Sequence, residues 1–144
     1  MYSETDKAYL AGLIDGEGSI GIDNHGGIRS PSIRITLTNT DANMLAELKA
    51  IWGGWLSARR KRKLGWKSVA DLIWAGKPAS KVLRAIEPYV KAKRKQCQLA
   101  LQFNETVSSS YTRGVPLKVQ TYRQELRRKM LELNKRGSQT APTS

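Results

Sequence analysis

Two carboxylates, Asp15 and Glu17, stand one residue apart at the end of the apolar run Leu10-Ala11-Gly12-Leu13-Ile14, with Gly16 between them and Gly18 after them. Acids at the end of a helix lie where the helix dipole is already negative, so they are disfavoured unless a cation compensates. The chain narrows what that cation is. It has one cysteine, Cys97, and one histidine, His25, which excludes a zinc site built from protein ligands alone. Any metal is therefore a hard ion on oxygen ligands, the kind that polarises a phosphate ester and activates water. Cys97 rules out an internal disulfide and suits a reducing compartment. Within QCQLALQF it reads as a small buried hydrophobe.

The element that positions these acids is a helix capped by Thr5 or Asp6 and running to about residue 15, ended by Gly16 and Gly18. At helical spacing Ala8, Ala11, Gly12 and Asp15 share one arc, while Tyr9, Leu10, Leu13 and Ile14 lie opposite, where they can bury in the core. Gly12 in mid-helix costs about 1 kcal/mol relative to alanine, so the small arc needs a purpose. It can let a second copy of the helix approach closely or pack tightly within its own domain. Paired copies would set two acidic ends side by side, one for each strand of a duplex.

Further along, residues 19–23 and 32–39 alternate as strands, the second with Ile33, Ile35 and Leu37 on one side. The turn signal Asn24 to Gly27 separates them. Thr40 or Asp41 caps a helix through Trp52 with Met44, Leu45, Leu48 and Ile51 as its stripe. Residues 55–61 and 66–74 read as a hairpin whose second strand alternates poorly. Helices follow over 79–86, from Pro88 to about 105, and over 117–136, with a connector over 107–116. The class is α+β: an αββαββα core with a four-stranded antiparallel sheet plus C-terminal helices. One domain, 1–137, and a flexible tail, 138–144, are expected.

Lys and Arg number 25 against 12 Asp and Glu, for a net charge of +13. So basic a chain favours an anionic partner. Nucleic acid ranks first and an anionic membrane second, but no run approaches a spanning helix and the start lacks a signal peptide. An intracellular protein with no membrane and no small-molecule substrate is expected. By parity the outward strand residues are Asp23 and His25, then Ser32, Arg34, Thr36 and Thr38, then Trp55, Ser57, Arg59 and Lys61. Such a ribbon fits the DNA major groove, where arginine can bind guanine bidentately. Lys67 can reach base or backbone. His25 reads equally as a turn residue and Trp55 as cover for the sheet edge. Arg123, Arg127 and Arg128 read as a solvated or phosphate-facing stripe.

LAGLIDGEG, Leu10 to Gly18, resembles the signature of the LAGLIDADG homing endonucleases, departing from the name only at Gly16 and Glu17. PYVKAKRKQ, Pro88 to Gln96, is similar to the family's helix carrying a basic active-site residue. The resemblance implies a saddle of two sheets over DNA, with paired motif helices at the interface. It also implies double-strand cleavage across the minor groove, 3′ overhangs and Mg²⁺ as the usual ion, with Mn²⁺ or Ca²⁺ able to substitute for binding. A single motif copy points to the homodimeric branch and near-palindromic targets. On this resemblance Glu17 is the metal-ligating carboxylate and Gly16 contributes its carbonyl. Lys93 matches the family's active-site basic residue, which acts on the solvent network or the phosphate's developing charge, or else is a helix charge on phosphate. Asn39 orients active-site water, or else is a turn residue. Asp15 braces the paired helices at an interface with Ala8, Ala11 and Gly12; a direct metal role is its alternative. Two functions compete: a site-specific DNA endonuclease, and a non-cleaving DNA- or RNA-binding protein of the same fold, a maturase or a transcriptional regulator. A general RNA-binding protein fits less well, because Trp55 and Trp66 are few for a stacking platform.

Overall fold

In the computed structural model the described residues are 2–24, 31–58, 68–107 and 114–139, the side chains of 136–139 excepted. Ser3, not Thr5 or Asp6, opens the first helix, α1 (Glu4–Glu17), its hydroxyl accepting the Asp6 N–H at 3.0 Å. The helix passes through Gly16 and ends only at Gly18, whose N–H bonds the Ile14 carbonyl. A Cβ on Gly18 would sit 2.8 Å from the Ile14 Cα, so only glycine lets strand β1 (Gly18–Asp23) start directly from the last turn.

β1 pairs antiparallel with β2 (Ser32–Asn39), and β2 with β4 (Ala70–Ala75). β3 (Trp55–Ala58) flanks β4, giving the order β1-β2-β4-β3. Between β2 and β3 runs α2 (Ala42–Trp52), capped by the Asp41 carboxylate on the Met44 N–H at 3.0 Å. Its buried stripe is Leu45, Leu48 and Trp52, spaced i, i+3 and i+7 on one helical face, with Met44 partly buried; Ile51, expected on the stripe, is exposed, and Trp52 takes the buried place and stacks on Tyr2. After β4 come α3 (Lys77–Ile86), a 3-10 turn (Glu87–Tyr89), α4 (Arg94–Glu105) and α5 (Leu117–Gln139). The continuous helix expected from Pro88 is thus broken: Pro88 sits in the 3-10 turn, and four residues separate the end of that turn from α4.

One cluster holds the core. Ile20, Ile22, Ile33, Ile35, Leu37, Leu72 and Trp74 from the sheet meet Leu10 and Ile14 of α1, the stripe of α2, and Val82, Leu83, Ile86, Cys97, Phe103, Leu126 and Met130 from the later helices. Each such aliphatic side chain contributes about 1.5–3 kcal/mol when fully buried. All helices therefore lie on one side of the sheet. The register puts Ser19, Gly21 and Asp23, then Arg34, Thr36 and Thr38, then Asp71 and Ile73, then Trp55 and Ser57 on the other. α5 is tied to the sheet's edge by Asn134 Nδ2, which donates to the Ile20 carbonyl at 3.0 Å.

The expected arginine stripe on α5 needs correcting at Arg123. This residue is 8% exposed, donates to the Thr106 hydroxyl and carbonyl at 2.8 Å each, and lies over the Phe103 ring. It closes the end of α4, so desolvation is offset by two charge-assisted bonds. Arg128 pairs with Glu125 and Glu132 along its own helix. His25, Arg59, Lys61 and Lys67 lie outside the described residues, as do 108–113 of the connector and 140–144 of the tail.

Candidate functional site

The C-terminal corner of α1 gathers residues far apart in sequence. Asp15 accepts the Lys91 N–H on Oδ2 at 2.8 Å and the Lys93 N–H on Oδ1 at 3.0 Å. Lys93 answers by donating its Nζ to the Asp15 carbonyl at 2.8 Å. An ammonium on the last carbonyls of a helix offsets the dipole there. Each Asp15 oxygen thus accepts one backbone N–H of its own chain, which turns the carboxylate toward the Lys91–Lys93 turn. Lys93 stands just before α4, at its N-cap, and not inside a helix.

Glu17, exposed at the end of the same helix, accepts a short hydrogen bond on Oε2 from the Asn39 side-chain amide. Asn39, the last residue of β2, takes the Asp41 N–H on Oδ1 at 2.8 Å. The structure therefore brings Glu17, Gly16, Asn39 and Lys93 to one corner. Its donors suit a hard cation: an exposed carboxylate and exposed backbone at the negative end of a helix dipole. No group of three or more His, Cys, Asp and Glu able to hold a metal occurs among the described residues.

On α1 the solvent face is Thr5, Ala8, Tyr9, Gly12 and Gly16. Two expectations change. Ala11 is fully buried within the subunit and Tyr9 is 54% exposed. The packed arc is centred on Leu10, Ile14 and Ala11, which rotates the free face toward Gly16. Gly12 stays on it, and a Cβ there would meet no atom within 4 Å. No described residue requires that glycine.

Of the outward residues expected from parity, Asp23, Ser32, Arg34, Thr36, Thr38, Trp55 and Ser57 lie on the side of the sheet away from the described helices. Arg34 leans on the Asp23 carboxylate at 3.5 Å and over the Trp55 ring at 5.6 Å. Thr38 donates to Asp71. Asp71 and Ile73 share this face, yet Asp71 is 7% and Ile73 5% exposed. Sequence reading missed Ser19, Gly21, Asp71 and Ile73 there; the pairing register is what reveals them.

A family model described as a LAGLIDADG-like domain matches residues 4–87. A search of curated proteins returned no match. Among solved structures, the chain is similar to the homing endonuclease I-CvuI in complex with its Sro1.3 target in the presence of Ca, at 22% identity over 91% of this chain and 85% of that one, with a TM-score of 0.69. I-CvuI with the I-CreI target in the presence of Mg gives 20% identity, 90% and 82% coverage, and 0.71. The archaeal intron-encoded homing endonuclease I-Vdi141I complexed with DNA gives 12% identity, 90% and 84% coverage, and 0.69. At these identities the common property is the fold, which agrees with the α+β architecture expected from the sequence.

Proposed function

Because the chain belongs to the LAGLIDADG-like domain family, whose model spans more than half of it, we propose that it is a site-specific DNA endonuclease of the homing type. It works as a homodimer on a long, near-palindromic duplex, hydrolyses both strands with a divalent cation and leaves 3′ overhangs. The observation that carries this reading is the corner where Glu17, Asn39 and Lys93 converge on the end of α1.

Glu17 and the Gly16 carbonyl hold the cation, Mg²⁺ by preference, with Mn²⁺ or Ca²⁺ able to replace it for binding. The partial shell in one chain is completed by phosphate oxygens, water and the second copy. The similar I-CvuI was crystallised on DNA in the presence of Ca and, with the DNA not cleaved, of Mg, which supports a divalent cation at such a site. When bound, such an ion polarises the scissile phosphate and lowers the pKa of the attacking water. Lys93 has N–H donors beyond the one bonded to the Asp15 carbonyl and directs positive charge at the phosphate as its negative charge grows. Ala8 and Gly12, on the free face of α1, let two helices meet backbone to backbone, which sets the two acidic corners against opposite strands. The outward sheet residues Asp23, Ser32, Arg34, Thr36, Thr38, Trp55 and Ser57, with His25, Arg59, Lys61 and Lys67 of the intervening segments, lie in the major groove.

The test begins with selection of a cleavable duplex from a randomised library in Mg²⁺. The wild-type protein should sediment near twice 16.1 kDa and cut that duplex. Glu17→Gln should bind it with comparable affinity and cut at least about 10³-fold more slowly. Unimpaired cutting by the variant would remove Glu17 from the chemistry. Binding without cleavage by the wild type would favour the regulator or maturase reading.

A further inference from the structure

We propose that Asn39 sets the cation preference of the site by leaving Glu17 a single ligating oxygen. This rests on the reading of Glu17 as a metal ligand. The Asn39 side chain has only one orientation that satisfies its neighbours. The Asp41 N–H can only donate, so the amide oxygen must face it, and it does so at 2.8 Å. The amide NH₂ then points the other way and can only donate, to Oε2 of Glu17. Asp41 cannot swing aside to relax this, because its carboxylate caps α2 through the Met44 N–H. Oε1 of Glu17 makes no hydrogen bond or ion pair with another described residue.

A carboxylate with one oxygen engaged by an amide favours binding through the other oxygen, because a second metal contact would have to compete with that hydrogen bond. Mg²⁺ accepts that readily, because its small octahedral shell takes single oxygens and retains waters. Ca²⁺ takes six to eight oxygens and often uses both oxygens of a carboxylate. Asn39 thus withholds from Ca²⁺ the second contact that would favour it. If the amide merely steadied the Glu17 side chain, its loss would weaken both ions alike, and their ratio would not move.

The experiment uses the full chain with Tb³⁺ as a luminescent occupant, displaced in separate titrations by Mg²⁺ and by Ca²⁺. In Asn39→Ala the ratio of apparent affinities should shift toward Ca²⁺ by roughly three- to tenfold, the range of one released hydrogen bond. Asn39→Ser retains an oxygen able to accept the Asp41 N–H while falling short of Glu17, so the same shift in that variant separates cation choice from disturbance of the turn. An unchanged ratio in both variants overturns the proposal. Glu17→Gln should lose Tb³⁺ binding; if it retains it, the assignment of Glu17 as a ligand fails first, a result distinct from an unmoved ratio.

Discussion

Both ends of α4 sit at a cation that closes the C-terminus of a helix. At its start, Lys93 reaches the Asp15 carbonyl at the end of α1; at its finish, Arg123 of α5 closes the end of α4 itself through Thr106. The electrostatics are the same, positive charge on unpaired carbonyls, but the surroundings differ. Arg123 is nearly excluded from solvent and lies over Phe103. Lys93 is only partly buried and has an exposed carboxylate, Glu17, two residues beyond its carbonyl partner. A cation sealed in apolar packing can only hold the fold together. One left at a wet edge beside an acid retains donors for another molecule.

That contrast can be broken by exchanging the two losses. Lys93→Met should reduce cleavage of the selected duplex by about 10²–10³-fold, while moving the urea midpoint little. Arg123→Met should do the reverse, lowering unfolding free energy by roughly 1.5–3 kcal/mol with an unchanged single-turnover rate for the folded fraction. If the two variants behaved alike in both assays, the corners would not have separate roles. A smaller effect sharpens the picture along α4 itself. Burial first, then the charges of Glu87 and Asp15, push the Cys97 thiol from 9.0 up to about 12. The folded state therefore favours the protonated thiol, a contribution that is complete below about pH 9 and lost as pH rises toward 12. The stability difference between wild type and Cys97→Ala should narrow over that interval in equilibrium denaturation. A constant difference would mean that Cys97 is not shielded as the packing implies.

Local pattern revealed some of these arrangements and hid others. The clean alternation of β2 was legible because one of its faces is core and the other is not. β4 resisted the same reading because it is a central strand on which Asp71, Leu72, Ile73 and Trp74 are all buried, so period two disappears. The start of α4 was misplaced for another reason: the Lys91 and Lys93 N–H groups are claimed by Asp15, 76 and 78 residues away, and no short window contains that partner. Arg123 was read as solvated because its role depends on Thr106 and Phe103 of a different helix. At the site, the motif pointed to Glu17, whereas the Asn39 contact spans 22 residues and needed the sheet to form.

The direct join between α1 and β1 makes the chain a ruler. No loop intervenes between Glu17 and the strand, so Ser19, Gly21 and Asp23 stand roughly 7, 13 and 20 Å beyond it at the usual strand rise. Successive base pairs are about 3.4 Å apart. On the proposed function, a duplex laid along the sheet would meet the Glu17 corner and these strand residues at a spacing fixed by covalent backbone, and an inserted residue at Gly18 would shift the recognition frame against the point of scission.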